Sequence, residues 1–157
     1  MMTTQISMKT EHWLNCLQSS GYRLTGPRYA VVDILARSER ALNALELFEL
    51  ARQSYPAIGL VSIYRTLEKL EALHLIQRVH QADKCQAYIA AFEGHQHLIV
   101  CQECGLVEFF VGDDLDSLVA RIEQESGYKV HEHWLQLFGL CEKCRGKSGE
   151  DRSYEIE

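Results

Sequence analysis

The sequence predicts an α+β protein, with an N-terminal winged helix-turn-helix domain followed by a small β-β-α-β domain carrying a four-cysteine zinc site. Three observations carry this reading. Apolar residues recur at helical spacing over roughly the first 70 residues and then give way to two strand-like runs. Short strand-like runs around a single amphipathic helix follow. Two CxxC pairs, Cys101–Cys104 and Cys141–Cys144, bracket that second half. A chain of 157 residues suits one ordinary domain or two small ones.

Taken in order, Trp13, Leu14 and Leu17 form the apolar stripe of a first helix, ended by Gly21. Thr25 and Pro27 open a second helix carrying Ala30, Val31, Ile34 and Leu35. A third carries Ala44, Leu45, Leu47, Phe48 and Ala51 and stops near Pro56. A fourth begins about Ser62 and sets Ile63, Leu67 and Leu70 on one face. Ser62, Arg65, Glu68 and Lys69 fall opposite, with Tyr64 at the border. Cys16 falls beside Leu17 and reads as core packing. Residues 75–79 and 86–89 then read as two strands joined by a turn at 81–84. Three helices and a hairpin, with one extra helix in front, is winged-helix order, which makes the fourth helix the recognition helix.

In the second half, residues 97–100 and 106–110 read as strands flanking the first CxxC pair. Asp113 or Asp114 can cap a helix carrying Leu115, Leu118, Val119 and Ile122, which Gly127 ends. Residues 128–140 read as one long strand leading into the second CxxC pair. The expected domains are 1–91 for the winged helix, with its wing at about 75–91, and 92–145 for the connecting segment and the small domain. Residues 146–157 read as a polar, disordered tail.

Four thiols in two i, i+3 pairs can close a tetrahedral Zn²⁺ site, and the turns after them, Gly105-Leu106 and Arg145-Gly146, suit tight metal knuckles. A site closed by four sulfurs leaves no position for a substrate, so it argues for architecture rather than catalysis. The first residues lack the apolar core of a signal peptide, and no run is apolar enough to span a membrane. A cytoplasmic protein with free thiols is expected. The net charge of -6 hides a split. Residues 1–80 hold nine Lys/Arg against seven acids, a balance of +2, and the remainder holds seven against fifteen, a balance of -8. Such asymmetry favours a DNA-facing first half and an acidic, metal-rich second half.

A second ligand cluster lies upstream of the cysteines. His95 and His97 sit two apart at the start of a strand, so both rings can project to one side and share an ion. Cys85, in the wing's return strand, would add a soft thiolate, and thiolate with imidazole suits Zn²⁺. His80 and Asp83 are alternative wing ligands, and His131 and His133 would share one face of the long strand.

Residues 21–28 (GYRLTGPR), 59–67 (GLVSIYRTL), 94–105 (GHQHLIVCQECG) and 137–141 (LFGLC) resemble the ferric uptake regulator family of metal-sensing repressors, over roughly residues 10–145. The resemblance implies a homodimer with N-terminal winged helices and C-terminal dimerisation domains, whose regulatory metal promotes binding to double-stranded operator DNA. It implies one structural and at least one regulatory Zn²⁺ per subunit. The regulatory ion would sit at the interdomain hinge on Cys85, His95 and His97, with Glu108 as the family's carboxylate, one residue early. His133 aligns with a histidine of a further site whose other ligands would fall at Gly94 and Gln96, which leaves that site absent or rebuilt. Tyr64 and Arg65 resemble base-contacting residues, with Ser62 and Lys69 on the same helix, and Arg23 and Arg28 are candidates for the DNA backbone or minor groove. Iron- and peroxide-sensing relatives add a histidine before the third helix and an acid in the wing's return strand. This chain has Arg40-Ala41-Leu42 and Ile89 there, which points to the zinc uptake regulator branch, with iron or peroxide sensing as the alternative. No membrane or small-molecule substrate is expected. A zinc-dependent enzyme is a distant alternative, because the chain has no His-Glu catalytic helix and no phosphate-cradling glycine loop.

Overall fold

The computed structural model describes residues 2–80, 86–92, 96–112 and 114–146, with side chains from residue 8 onward. The chain divides into two compact units, Met1–Ala91 and Phe92–Glu157. No helix among the described residues is long and apolar enough to cross a membrane.

The first unit opens with helix α1 (Met2–Ser19). Its Trp13 and Leu17 are buried, and the buried Thr10 hydroxyl donates to the Asp33 carboxylate of α2 (Gly26–Arg37) at 3.2 Å. Thr25 caps α2 as its sequence position predicts, its side chain accepting from the Arg28 amide, with Pro27 in the first turn. Helix α3 (Ala44–Ser54) starts with a full capping box. Asn43 accepts from the Glu46 amide while the Glu46 carboxylate accepts from the Asn43 amide, each at 2.9 Å. Helix α4 (Leu60–Ala72) begins two residues before the predicted start and buries Ile63, Thr66, Leu67 and Leu70. Its end turns through His74 at φ 55°, a left-handed conformation that histidine enters more readily than branched residues.

Strands β2 (Ile76–His80) and β3 (Gln86–Ala90) form the wing hairpin, in register from Ile76 opposite Ala90 to His80 opposite Gln86. A two-residue strand, β1 (Leu42–Asn43), pairs with β3 and gives the sheet order β1-β3-β2. It is too short to leave a periodic signal, so the sequence did not announce it. Leu17, Val31, Leu35, Leu47, Ile63, Leu67 and Leu70 are all within 1% of full burial and weld the helices into one core.

The second unit is built on β4 (His97–Cys101), β5 (Val107–Phe110) and β6 (Gln136–Gly139), in the order β5-β4-β6. β5 runs antiparallel to β4 and β6 runs parallel to it. Helix α5 (Leu115–Ser126) connects β5 to β6 and ends at Gly127, whose φ of 75° makes the left-handed stop. The long strand expected over 128–140 is corrected. Only Gln136–Gly139 pairs, from Leu98 opposite Gln136 to Cys101 opposite Gly139. The ladder with the five-residue β4 covers only these four positions, and residues 128–135 pair with no strand among the described residues. Asp113 lies outside the described residues. Asp114 stands at the N-cap but makes no side-chain cap bond. A short helix, α6 (Glu142–Arg145), follows β6, and the tail expected over 146–157 lies outside the described residues from 147 onward.

Candidate metal centre and nucleic-acid interface

The first CxxC pair sits in the turn between β4 and β5. The Gly105 amide returns to the Cys101 carbonyl at 3.0 Å, and Gly105 takes φ 72°, which closes the knuckle without strain. The second pair sits at the start of α6, where the Cys144 and Arg145 amides donate to the Cys141 carbonyl at 3.0 and 2.8 Å. The parallel β4–β6 pairing brings the two knuckles together. The Gln102 amide reaches the Gly139 carbonyl at 2.9 Å, and the Cys141 amide points at the Cys101 sulfur at 3.3 Å.

The ligand atoms of Cys101, Cys104, Cys141 and Cys144 all lie within 4.8 Å of one another, and the Cys104 and Cys141 sulfurs are 3.7 Å apart. A tetrahedral zinc with Zn–S bonds of about 2.3 Å separates its sulfurs by about 3.8 Å, so the donor set fits that ion. Burial pushes the Cys101 thiol up, but hydrogen bonds from the Cys141, Cys104 and Glu103 backbone outweigh it and bring the thiol down to about 6. Cys144 is pushed up to about 12, chiefly by its hydrogen bond with the Cys141 sulfur. Without a cation the centre therefore holds one thiolate readily and resists the last, while a divalent ion would stabilise all four.

Of the predicted regulatory ligands, Asp83, Cys85 and His95 lie outside the described residues. His97 is buried at the start of β4. Its ring centroid stands 5.3 Å from that of His133 and 5.6 Å from that of Phe110. Gly112 makes room for it, since a Cβ there would come within 2.8 Å of the His97 ring. The expected partnership of His131 with His133 on a strand is corrected: neither is in a strand, His131 is exposed, and the half-buried His133 packs on His97 instead. Glu108 is exposed on β5. It pairs with Ile99, which puts it on the same sheet face as His97 but diagonal to it, two residues along. His80 is exposed at the end of β2, opposite Gln86.

In the first unit, the outward face of α4 differs from the predicted one. Ser62 and Lys69 are half-buried, and Lys69 lies over the Tyr22 ring at 5.3 Å and donates to the Arg65 carbonyl. Tyr64, placed at the border by its spacing, is 47% exposed, and Val61 is 64% exposed. Arg65 and Glu68 are exposed as expected. Helical rotation alone could have found Val61, which lies three residues before Tyr64. Arg23 is exposed, and the half-buried Arg28 is tied to the Arg23 carbonyl. Cys16 is half-buried with its sulfur 3.7 Å from His12 Nε2, which corrects its placement in the core.

The sequence pattern of the ferric uptake regulator family matches residues 19–138. The chain belongs to the ferric uptake regulator family. The ferric uptake regulation protein of Bacillus subtilis (strain 168) is 37% identical over 139 residues, covering 85% of this chain and 93% of that protein. The solved structure of a zinc-bound manganese uptake regulator superposes with a TM-score of 0.66 at 26% identity, covering 82% of this chain and 98% of its own. A zinc uptake regulator complexed with zinc and DNA shares the fold, with a TM-score of 0.67 at 18% identity over 90% of this chain and 96% of its own. As a member of the ferric uptake regulator family the protein is a metal-responsive transcription regulator and not an enzyme. Regulators of the family bind metal ions and bind DNA as dimers.

Proposed function

We propose that the protein is a zinc-responsive, cytoplasmic repressor that binds operator DNA as a homodimer. One Zn²⁺ is held permanently by Cys101, Cys104, Cys141 and Cys144, and a second, regulatory Zn²⁺ controls DNA affinity. The observation that supports zinc over iron is the burial of Ala41 (0% exposed) and Ile89 (3%), apolar side chains at the places where iron- and peroxide-sensing relatives supply a histidine and an acid. Neither side chain offers a donor. Imidazole and thiolate donors remain, and these suit Zn²⁺.

The regulatory ligands in this reading are His97 and His133, whose rings are adjacent, joined by His95 and Cys85. His133 is better supported as the fourth ligand than Glu108, which stands diagonal to His97. With Cys85 in the DNA-binding unit, zinc affinity and DNA affinity are thermodynamically linked, each raising the other. Support for the homodimer comes from α5, which buries no residue and leaves Leu118 and Ile122 40% and 45% exposed on an amphipathic face.

The test is operator binding by mobility shift across buffered free Zn²⁺ and Fe²⁺, in wild type, Cys85→Ser and His133→Ala. Zinc should raise wild-type DNA affinity at least tenfold (about 1.4 kcal/mol of coupling), and both variants should lose most of that response. A wild type indifferent to zinc would sink the sensor reading. The second reading, iron sensing, is favoured by the 37% identity to a ferric uptake regulation protein. It would be chosen if Fe²⁺ activates and Cys85→Ser behaves as wild type.

A further inference from the structure

Over the first nine residues of α4 the exposed side chains are Val61, Tyr64, Arg65 and Glu68, an i, i+3, i+4, i+7 stripe opposite the buried Ile63, Thr66, Leu67 and Leu70. Val61, in the first turn, is the most exposed large apolar residue of the helix at 64%. Folding gives no reason for a valine there. A β-branched residue lowers helix propensity, and exposed methyl groups return no burial. The helix N-cap, Gly59, contributes no side-chain bond, so the first turn has no capping side chain of its own. The first turn is also the part of a recognition helix that meets base edges.

The neighbours of Val61 indicate its occupant. A protein interface would favour a contiguous apolar patch, whereas this stripe sets one branched apolar side chain beside a phenol, a guanidinium and a carboxylate. The major-groove wall has that composition: hydrogen-bonding edges with a single apolar feature, the 5-methyl group of thymine. Residues 1–80, with their balance of +2, supply the cations that hold such a helix against phosphates.

We propose that Val61 reads the 5-methyl group of a thymine in each operator half-site, adding a specificity contact beside Tyr64 and Arg65. The inference rests on α4 being the DNA-reading helix. A duplex is first selected from a random library by the zinc-loaded wild-type protein, and each thymine is then replaced in turn by uracil, which lacks only the methyl group. In wild type, one replacement per half-site should weaken binding about three- to fivefold, the scale of one buried methyl contact. In Val61→Ala the same replacement should change nothing, and in Val61→Ile the penalty should return. The alanine variant keeps a good helix former at an exposed position, and its unchanged circular dichroism serves as the folding control. Equal uracil penalties in wild type and Val61→Ala, or no sensitive thymine at all, would overturn the proposal and assign Val61 to another surface. Failure of the wild type to select any sequence would overturn the DNA-reading role of α4 itself, and with it this contact.

Discussion

In the first unit four helices and a three-stranded sheet interlock around Leu17, Val31, Leu35, Leu47, Ile63, Leu67 and Leu70, all buried by the unit's own side chains. In the second, a three-stranded sheet buries Leu98, Val100 and Val107, but α5 contributes no buried residue, and Tyr128 and Trp134 are 77% and 61% exposed. At about 1.5–3 kcal/mol for each large side chain fully buried, the first core can offset the entropy of ordering its chain, and the second has much less to draw on. In the proposed function the small unit gains what its own core lacks from a metal closing the two knuckles and from a second copy of the chain covering the apolar face of α5. One unit is held by its own packing, and the proposal assigns the other to ligation and association.

The largest expected effect tests ligation. Cys101→Ser removes the buried sulfur of the four-cysteine centre, and the apparent metal-binding energies of about 10–16 kcal/mol for a structural zinc, as proposed there, exceed what a three-stranded sheet can replace. Zinc content should fall by one ion per chain, and amide exchange should become fast over residues 97–110 and 136–144 while α2 to α4 stay protected. Slow exchange in both units would break the comparison. The next effect tests packing. Leu35→Ala, at a fully buried position of α2, should cost about 2–5 kcal/mol in the unfolding transition of the first unit. Leu118→Ala, on the exposed face of α5, should leave intrinsic stability within about 0.5 kcal/mol and instead weaken the dimer in sedimentation equilibrium. An unchanged dimer would remove α5 from the interface.

The smallest effect compares two helix starts. Asn43 makes both bonds of a capping box, so Asn43→Ala should lower stability by about 1 kcal/mol. Asp114 makes no cap bond, so Asp114→Ala should change it by only a few tenths, about the value of a carboxylate near a helix N-terminus. Chemical denaturation followed separately in each unit reads both. Equal losses would mean that Asp114 caps α5 in solution.

Much of this was legible along the chain because its signals are local. Thr25 and Gly127 mark helix ends through their own side chain or backbone, and most apolar positions read on α2 to α4 are buried or half-buried, but Leu45, read on the apolar face of α3, is 62% exposed. The misreadings share a different cause. Alternation over 128–140 describes a segment able to be a strand, but pairing with the five-residue β4 cut it to Gln136–Gly139. Tyr64 was placed at a border and Val61 overlooked because the outward face of a helix depends on which neighbours cover it. Lys69, packed on Tyr22, left that face while Val61 entered it.

The sequence by itself determined the order of elements, the family and the four cysteines, since each is written in short-range spacing. Only the tertiary structure decided which candidate ligands meet. His97 and His133 are 36 residues apart in the chain, and no local pattern joins them. The geometry around β4 sets their rings side by side, while cross-strand register sends Glu108 one diagonal away. Register and packing are properties of two segments together, so candidate ligands drawn from distant segments are seen to meet only once both segments are in place.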